Sequence, residues 1–224
     1  MMRALGWLLD LLYPPKCVIC GRLLEEREKD ICADCLESLP NFEGEKPQVM
    51  YADDLCVTLF YDGAVRSSFL RFKFSGRDFY AEPFGRWMAG RIADELGRSF
   101  DRVCWVPVSK KRRRERGYDQ SELLARCVAR QLALPADAAL QKHAERGPQS
   151  RINDAGERRK NASGAFSVRP GAQIAGRELL LIDDIVTTGA TLSECCRILK
   201  QAGAKRVACA AFASPCKEKE RWNP

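Results

Sequence analysis

One histidine, His143, is the whole imidazole content of this 224-residue chain. It lies in a polar stretch away from the apolar segments, so no strong general base is visible in the sequence. Long hydrophobic runs are missing as well. The opening segment MMRALGWLLDLLYPP carries Arg3 and a short apolar run, but Asp10 interrupts it and no small-residue cleavage site follows. A bilayer takes about 20 apolar residues in a row, so neither a signal peptide nor a membrane span is expected. Leu5, Leu8, Leu9 and Leu12 instead fit one face of an amphipathic helix ended by Pro14 and Pro15. No repeat recurs at solenoid spacing and no long low-complexity tract is present, which excludes array proteins and a disordered half.

The remainder is ordinary for a soluble globular protein, with 46% apolar and 30% charged residues. The length allows one α/β domain with a small addition, or two small domains. A net charge of +7 suits a partner that carries phosphates. Of the 11 cysteines, seven (Cys56, Cys104, Cys127, Cys195, Cys196, Cys209 and Cys216) are scattered, mostly in apolar stretches. That is the pattern of free thiols acting as small core residues in a reducing compartment, so a cytoplasmic location is expected.

The other four form CVIC at 17–20 and CADC at 32–35. Two Cys-x-x-Cys pairs at this separation have the spacing of a structural zinc site. Each pair makes a tight knuckle, and two knuckles complete a tetrahedron around one metal with no open position for catalysis. Cys17, Cys20, Cys32 and Cys35 are therefore the expected zinc ligands, and Gly21 suits the first turn. Two disulfides, four unrelated thiols or an iron–sulfur cluster are the other readings of the same spacing. The enclosed GRLLEEREKDI is too polar to make a core, so the metal is expected to supply much of the folding energy.

Beyond the cysteine pairs, DLCVTLFYD at 54–62 reads as a strand, and Phe84, Met88, Ile92 and Leu96 mark a helix that Gly97 can end. RVCWVPV at 102–108 reads as a buried strand. The segment SKKRRRERGYDQ follows, in which six of the seven residues from Lys110 to Arg116 are basic. SELLARCVARQLAL is the next helix, with Leu123, Leu124, Cys127, Val128 and Leu132 on its buried face. Residues 141–163 read as a long polar loop. ELLLIDD is a strand, TLSECCRILKQAGA a helix with Leu192, Cys195, Cys196 and Leu199 inward, and RVACAAFA a further strand. Continuous apolar strands alternating with helices imply a parallel sheet covered on both faces, an α/β fold.

Within this pattern, LLLIDDIVTTGAT at 179–191 is the segment that points to chemistry. Ligands of open parallel sheets bind outside the carboxyl ends of the strands, where Asp183 and Asp184 stand. Thr187, Thr188, Gly189, Ala190 and Thr191 then lead into a helix, whose N-terminus offers unpaired N–H groups and partial positive charge to a phosphate. Gly189 lets backbone approach closely, and the Thr hydroxyls add donors. Carboxylates do not hold phosphate; they accept hydrogen bonds from hydroxyls or coordinate a divalent cation. The expected ligand carries both a phosphate and a diol, as a ribose 5-phosphate does. Capping of a strand exit is the plainer role open to an Asp-Asp pair alone.

IDDIVTTGAT resembles the phosphoribosyl diphosphate (PRPP) motif of type I phosphoribosyltransferases. That resemblance implies that Asp183 and Asp184 face the ribose hydroxyls and that Thr187–Thr191 cradle the 5-phosphate. Val108, Ser109 and Lys110 then correspond to the loop that holds the diphosphate with Mg²⁺, and residues 141–163 to a hood, where Arg158, Arg159 and Lys160 close on the diphosphate. Taken together, LYPPKCVIC, CADC, YDGAVR, VPVSKKRRRERGYDQSELLA, PQ at 148–149, ERRKNASGAF and IDDIVTTGATL resemble the ComF family from about residue 12 to about residue 213. The resemblance implies a type I phosphoribosyltransferase-like parallel sheet flanked by helices at 50–224. It also implies an N-terminal helix and four-cysteine zinc module at 1–45. Two departures stand out. The family usually has Pro-Leu-His where this chain has Val108, Ser109 and Lys110. Its Arg-Gly-Phe-Asn-Gln is here Arg116, Gly117, Tyr118, Asp119 and Gln120.

Three functions follow from this reading. The first is an enzyme that binds PRPP with Mg²⁺ and transfers the pentosyl group to an acceptor that no motif identifies. The second is a factor that handles single-stranded DNA in competence or in use of DNA as a nutrient, with partners among DNA-handling proteins. Lys110–Arg116 would then bind phosphates, with Tyr118 the nearest aromatic. The third is a PRPP sensor on the same fold.

Overall fold

The computed structural model describes residues 14–143 and 164–215. The expected amphipathic helix at the start of the chain, most of the 141–163 segment with Arg158 and Arg159, and Cys216 lie outside the described residues. After a short helix α1 (Ala33–Glu37), the chain alternates strands and helices. These are β1 (Asp54–Phe60), α2 (Gly63–Phe74), α3 (Ala81–Glu95), β2 (Arg102–Trp105), α4 (Lys110–Arg116) and α5 (Gln120–Leu132). A small pair β3 (Leu140–Lys142) and β4 (Phe166–Val168) precedes β5 (Glu178–Ile185), α6 (Ala190–Gln201) and β6 (Arg206–Ser214).

Four strands form a parallel sheet in the order β1-β6-β5-β2. The apolar alternation along β5 explains why both faces are covered. Leu180 and Ile182 point into one core with α2, α3 and α5, while Leu179 and Leu181 point into another with α6. The first core is aromatic: Phe69, Phe72, Phe84 and Phe212 are fully buried, with Phe84 and Phe212 stacked at 4.3 Å between centroids. Gly85 allows α3 to lie tight on α5, since a Cβ there would sit 2.4 Å from the Cβ of Cys127. The second core is lined by Leu192, Cys195, Cys196 and Leu199 of α6, the four residues that the sequence turned inward.

Several boundaries differ from the sequence expectation for local reasons. β1 stops at Phe60 rather than Asp62, because Asp62 instead caps α2 by accepting the Gly63 N–H at 2.8 Å. Segment 64–74, whose mixed apolar and basic residues carry no clear period, is therefore a helix; it buries Val65, Ser68, Phe69 and Phe72. β2 ends at Trp105, three residues before the expected end, because Pro107 has no N–H and the Val108 N–H turns away to a side chain. The basic run, to which the sequence assigned no element, forms the helix α4, capped by Ser109 and ended by Gly117 in the left-handed conformation. At the edge of the expected long loop, β3 pairs antiparallel with β4, and the His143 N–H donates to Ala165 O at 2.8 Å. Leu123 is half-buried, whereas Leu124, Cys127, Val128 and Leu132 are buried as the helix period requires.

Candidate functional site

The N-terminal cysteines gather into one cluster. The sulfurs of Cys17, Cys20, Cys32 and Cys35 all lie within 4.8 Å of one another, and those of Cys20 and Cys32 are 3.8 Å apart. A tetrahedron with Zn–S bonds of about 2.3 Å has edges of about 3.8 Å, so the donor set fits a structural zinc ion. The first knuckle closes through Cys17 N–H to Arg22 O and Gly21 N–H to Cys17 O, both 2.8 Å, with Gly21 at φ +84°. Burial works against a charge on Cys17, but backbone N–H groups of Cys20, Cys32 and Ile19 outweigh it and lower the thiol to about 6. Cys20 and Cys35 shift the opposite way, burial raising both thiols, as expected of close thiols that share one charge. Between the knuckles, the Glu28 carboxylate accepts from Glu25 N–H at 2.9 Å, Ala33 N–H at 2.8 Å and Arg22 at 2.7 Å, which ties the polar connection into a fixed loop.

That connection makes no core of its own, but its last residue reaches the core of the sheet domain. Ile31 at its end is buried together with Val18 and Ile19, in the same cluster as Phe69, Phe72 and Phe84. The partners come from α2 and α3, so the ribbon borrows the sheet domain's core. The Ser68 hydroxyl donates to Val18 O, Arg71 donates to Val18 O at 3.1 Å and to Ile19 O at 2.5 Å, and Arg86 pairs with Asp30.

The adjacent parallel strands β5 and β2 present their carboxyl ends at one edge of the sheet, the edge at which open α/β sheets bind ligands. Asp183 and Asp184 close β5, one buried and one half-buried. They are held differently. Asp183 Oδ1 accepts the Ser121 hydroxyl at 3.2 Å and the Asp184 N–H at 2.8 Å. Burial and then the charge of Asp184 push its carboxyl up to about 8, against the pull of that N–H, Lys73 and Ser121. Asp184 instead gives Oδ1 to the Ile185 N–H at 2.6 Å and Oδ2 to the Lys73 ammonium at 2.6 Å. Tyr61, just past the end of β1, feels the charge of Asp184: burial raises its phenol, Arg66 lowers it, and Asp184 raises it again.

Thr187, Thr188 and Thr191 are exposed, and Ala190 begins α6. Gly189 is the left-handed N-cap of that helix at φ +74°. The close approach that it permits is to the chain's own segment 48–50. A Cβ on Gly189 would lie 2.3 Å from Gln48 O, while the Met50 N–H donates to Ser193 Oγ at 2.9 Å and Ser193 donates to Gly189 O at 2.7 Å. The loop is thereby braced from outside the motif.

On the β2 side, Val108 and Ser109 precede the exposed Lys110. The Val108 N–H donates to Asp119 Oδ2 at 3.0 Å, and the other oxygen of Asp119 caps α5 through the Glu122 N–H at 3.2 Å. Asp119 is buried, and burial raises its carboxyl. The carboxylate that departs from the family pattern thus pins the β2 loop to α5, whose second residue, Ser121, contacts Asp183. The structure brings the two expected anion-facing loops to one edge of the sheet, joined through α5. Arg158 and Arg159, expected at the same edge, lie outside the described residues.

Lys73, Ser121 and the strap at 48–50 escaped the sequence reading. Nothing in FLRFKF separates Lys73 from Arg71. Only the Asp62 cap, by setting a helix in register with Val65, Phe69 and Phe72, would have placed Lys73 at the edge of the buried face.

Comparison with known proteins follows the same division. The phosphoribosyl transferase domain family matches residues 118–223, and the double zinc ribbon domain family matches residues 8–47. The chain is similar to competence protein F of Haemophilus influenzae, at 26% identity over 86% of this chain and 82% of that protein. It is similar to competence protein ComFC of Streptococcus pneumoniae, at 26% identity over 85% of this chain and 84% of that protein. It also resembles the DNA utilization protein YhgH of Escherichia coli at 32% identity, over 48% of this chain and only 46% of that protein.

Proposed function

Because this chain belongs to the ComF family of phosphoribosyltransferase-like proteins with an N-terminal zinc ribbon, we propose that the carboxyl-end edge of its sheet binds PRPP together with Mg²⁺. The observation that carries the reading is the order of groups along the sheet edge. Two carboxylates end β5, a Thr-Gly loop opens α6 directly behind them, and the end of β2 lies alongside. The N–H groups of Thr187–Thr191 and the α6 N-terminus suit a 5-phosphate. Asp183 and Asp184 suit the ribose hydroxyls, and the backbone of Val108, Ser109 and Lys110 suits the diphosphate. Burial raises the Asp183 carboxyl and Ser121 fixes it, so that it retains an oxygen for a ribose hydroxyl.

The reading extends to pentosyl transfer in the cytoplasm. Mg²⁺ bound with the ligand would neutralise the leaving diphosphate. Charge then develops on the ring carbon rather than on a proton, so the reaction is compatible with a site that has no histidine; His143 is exposed beside Ala165. Titration of PRPP with Mg²⁺ into zinc-loaded protein, followed by calorimetry, tests the reading. Saturable binding that is lost in Asp183→Asn/Asp184→Asn upholds it. No binding by folded, zinc-loaded wild type overturns it.

A second reading, handling of single-stranded DNA, is favoured by one surface feature. Phe74 is 65% exposed at the end of α2, with the Arg116 guanidinium 5.1 Å over its ring. Lys110–Arg114 of α4 are exposed along the same helix as Arg116. A planar stacking group beside a basic helix suits bases and phosphates at once. The names of the relatives, competence and DNA utilization, agree with a role in DNA uptake or use. An oligonucleotide titration decides this second reading. Affinity should fall with salt by roughly 0.7 log units per log unit for each phosphate contacted, and should weaken in Phe74→Ala.

A further inference from the structure

Among the described residues, helix α2 is the element that touches both the ribbon and the Asp-Asp pair. Ser68 and Arg71 hold ribbon carbonyls, Phe69 and Phe72 fill the aromatic core, and Lys73 turns to the end of β5. The Lys73 ammonium stands 2.6 Å from Asp184 Oδ2 and 5.1 Å from the centroid of Phe69. Its side chain and that of Asp184 are only 18% and 15% exposed. A pair this sheltered is weakly screened, and removing one partner leaves the other charge uncompensated. The Asp184 register accounts for the meeting: it follows Leu180 and Ile182 on the face of β5 that α2 covers.

We propose that Lys73 is a positioning residue of the PRPP site, which neutralises Asp184 and fixes its carboxylate so that a multiply anionic sugar phosphate can dock beside it. The proposal rests on the PRPP reading above. Asp184 Oδ2 retains room for a further donor, since a carboxylate offers about four lone-pair sites and two are taken. A ribose hydroxyl can therefore join the pair without displacing Lys73. Removing the ammonium instead leaves a bare carboxylate facing the ligand's phosphates, in a setting where like charges repel strongly.

Calorimetric titration of PRPP with Mg²⁺ into zinc-loaded wild type, Lys73→Met and Lys73→Arg separates the outcomes. Zinc content and melting temperature are measured for each protein. The expected result, read at a temperature where all three proteins are folded, is affinity weakened at least about tenfold in Lys73→Met and largely restored in Lys73→Arg, with zinc content unchanged. A merely structural role would track melting and would not need the charge back. Should Lys73→Met melt early, Lys73→Gln is read by the same criteria. Binding by wild type that Lys73→Met leaves undiminished overturns this proposal alone. No binding by wild type overturns the PRPP reading and this proposal with it.

Discussion

The ribbon and the sheet domain both hide charge, and they neutralise it by different means. In the ribbon, four thiols lie within 4.8 Å of one another, a donor set that fits a cation whose binding would neutralise their thiolates. At the end of β5, burial and the neighbouring Asp184 raise the Asp183 carboxyl, while Asp184 pairs with the Lys73 ammonium at 2.6 Å. The ribbon contributes few apolar side chains of its own: Val18, Ile19 and Ile31 are buried against α2 and α3 rather than against each other alone. The sheet domain brings a separate core on each face. One region thus depends on a metal and on a neighbour's surface, and the other on its own packing.

Metal removal is the strongest way to break that comparison. Structural zinc contributes roughly 10–16 kcal/mol of apparent binding energy in small zinc modules, and that energy is folding energy there. Chelation, or Cys17→Ser with Cys32→Ser, is expected to abolish amide protection at Cys17, Val18, Gly21 and Leu24, whose N–H groups bond within the ribbon. Amides of β5 and β6 should keep theirs. Hydrogen exchange followed by mass spectrometry reads both regions in one experiment. Equal loss of protection in β6 would mean that ribbon and sheet unfold as one unit.

The next largest effect belongs to Asp183. Its carboxyl is near 8 in the fold and about 3.9 in an unfolded chain. The folded form therefore binds the proton more tightly, so the stabilising contribution is full below about pH 4 and is lost as pH rises toward 8. Asn cannot ionise and keeps the Oδ1 acceptor for Ser121 and the Asp184 N–H. Asp183→Asn is expected to melt higher than wild type at pH 9, by an amount on the order of a few kcal/mol at most, with the gap closing toward pH 4.5. Melting curves across that range check it. A gap independent of pH would mean that Asp183 is ionised throughout in the native state.

The architecture was legible in the sequence because its strands are continuous apolar runs and its later helices carry clear four-residue periods. The four cysteines and the Asp-Asp-Thr-Gly segment were legible because their chemistry depends on short, fixed spacing. What escaped has a common cause, which is contact between elements far apart in the chain. Segment 63–74 became a helix through one cap at Asp62 and a docking face supplied by the ribbon. Gly189 was read as leaving room for a ligand, yet its backbone also meets Gln48, more than a hundred residues earlier. Asp119 was visible as an odd carboxylate, but nothing local revealed that it pins Val108.

The smallest effect tests the seam itself. Arg71 reaches from α2 to two ribbon carbonyls, Val18 O and Ile19 O, at 3.1 and 2.5 Å. It touches neither the cysteine sulfurs nor the acids that end β5. A charged donor to a carbonyl contributes about 1.5–3 kcal/mol, and here the Ser68 hydroxyl still serves Val18 O when Arg71 is gone. Arg71→Ala should therefore leave zinc stoichiometry intact while chelators extract the metal faster, with melting lowered by a few degrees, about 2–4 °C for each kcal/mol in a protein of this size. Because Lys73 lies two residues along the same helix, loosening the seam should also weaken PRPP binding slightly, and by less than Lys73→Met does. If zinc leaves at the wild-type rate, the ribbon's hold on its metal owes nothing to α2, and the two regions are neighbours rather than partners.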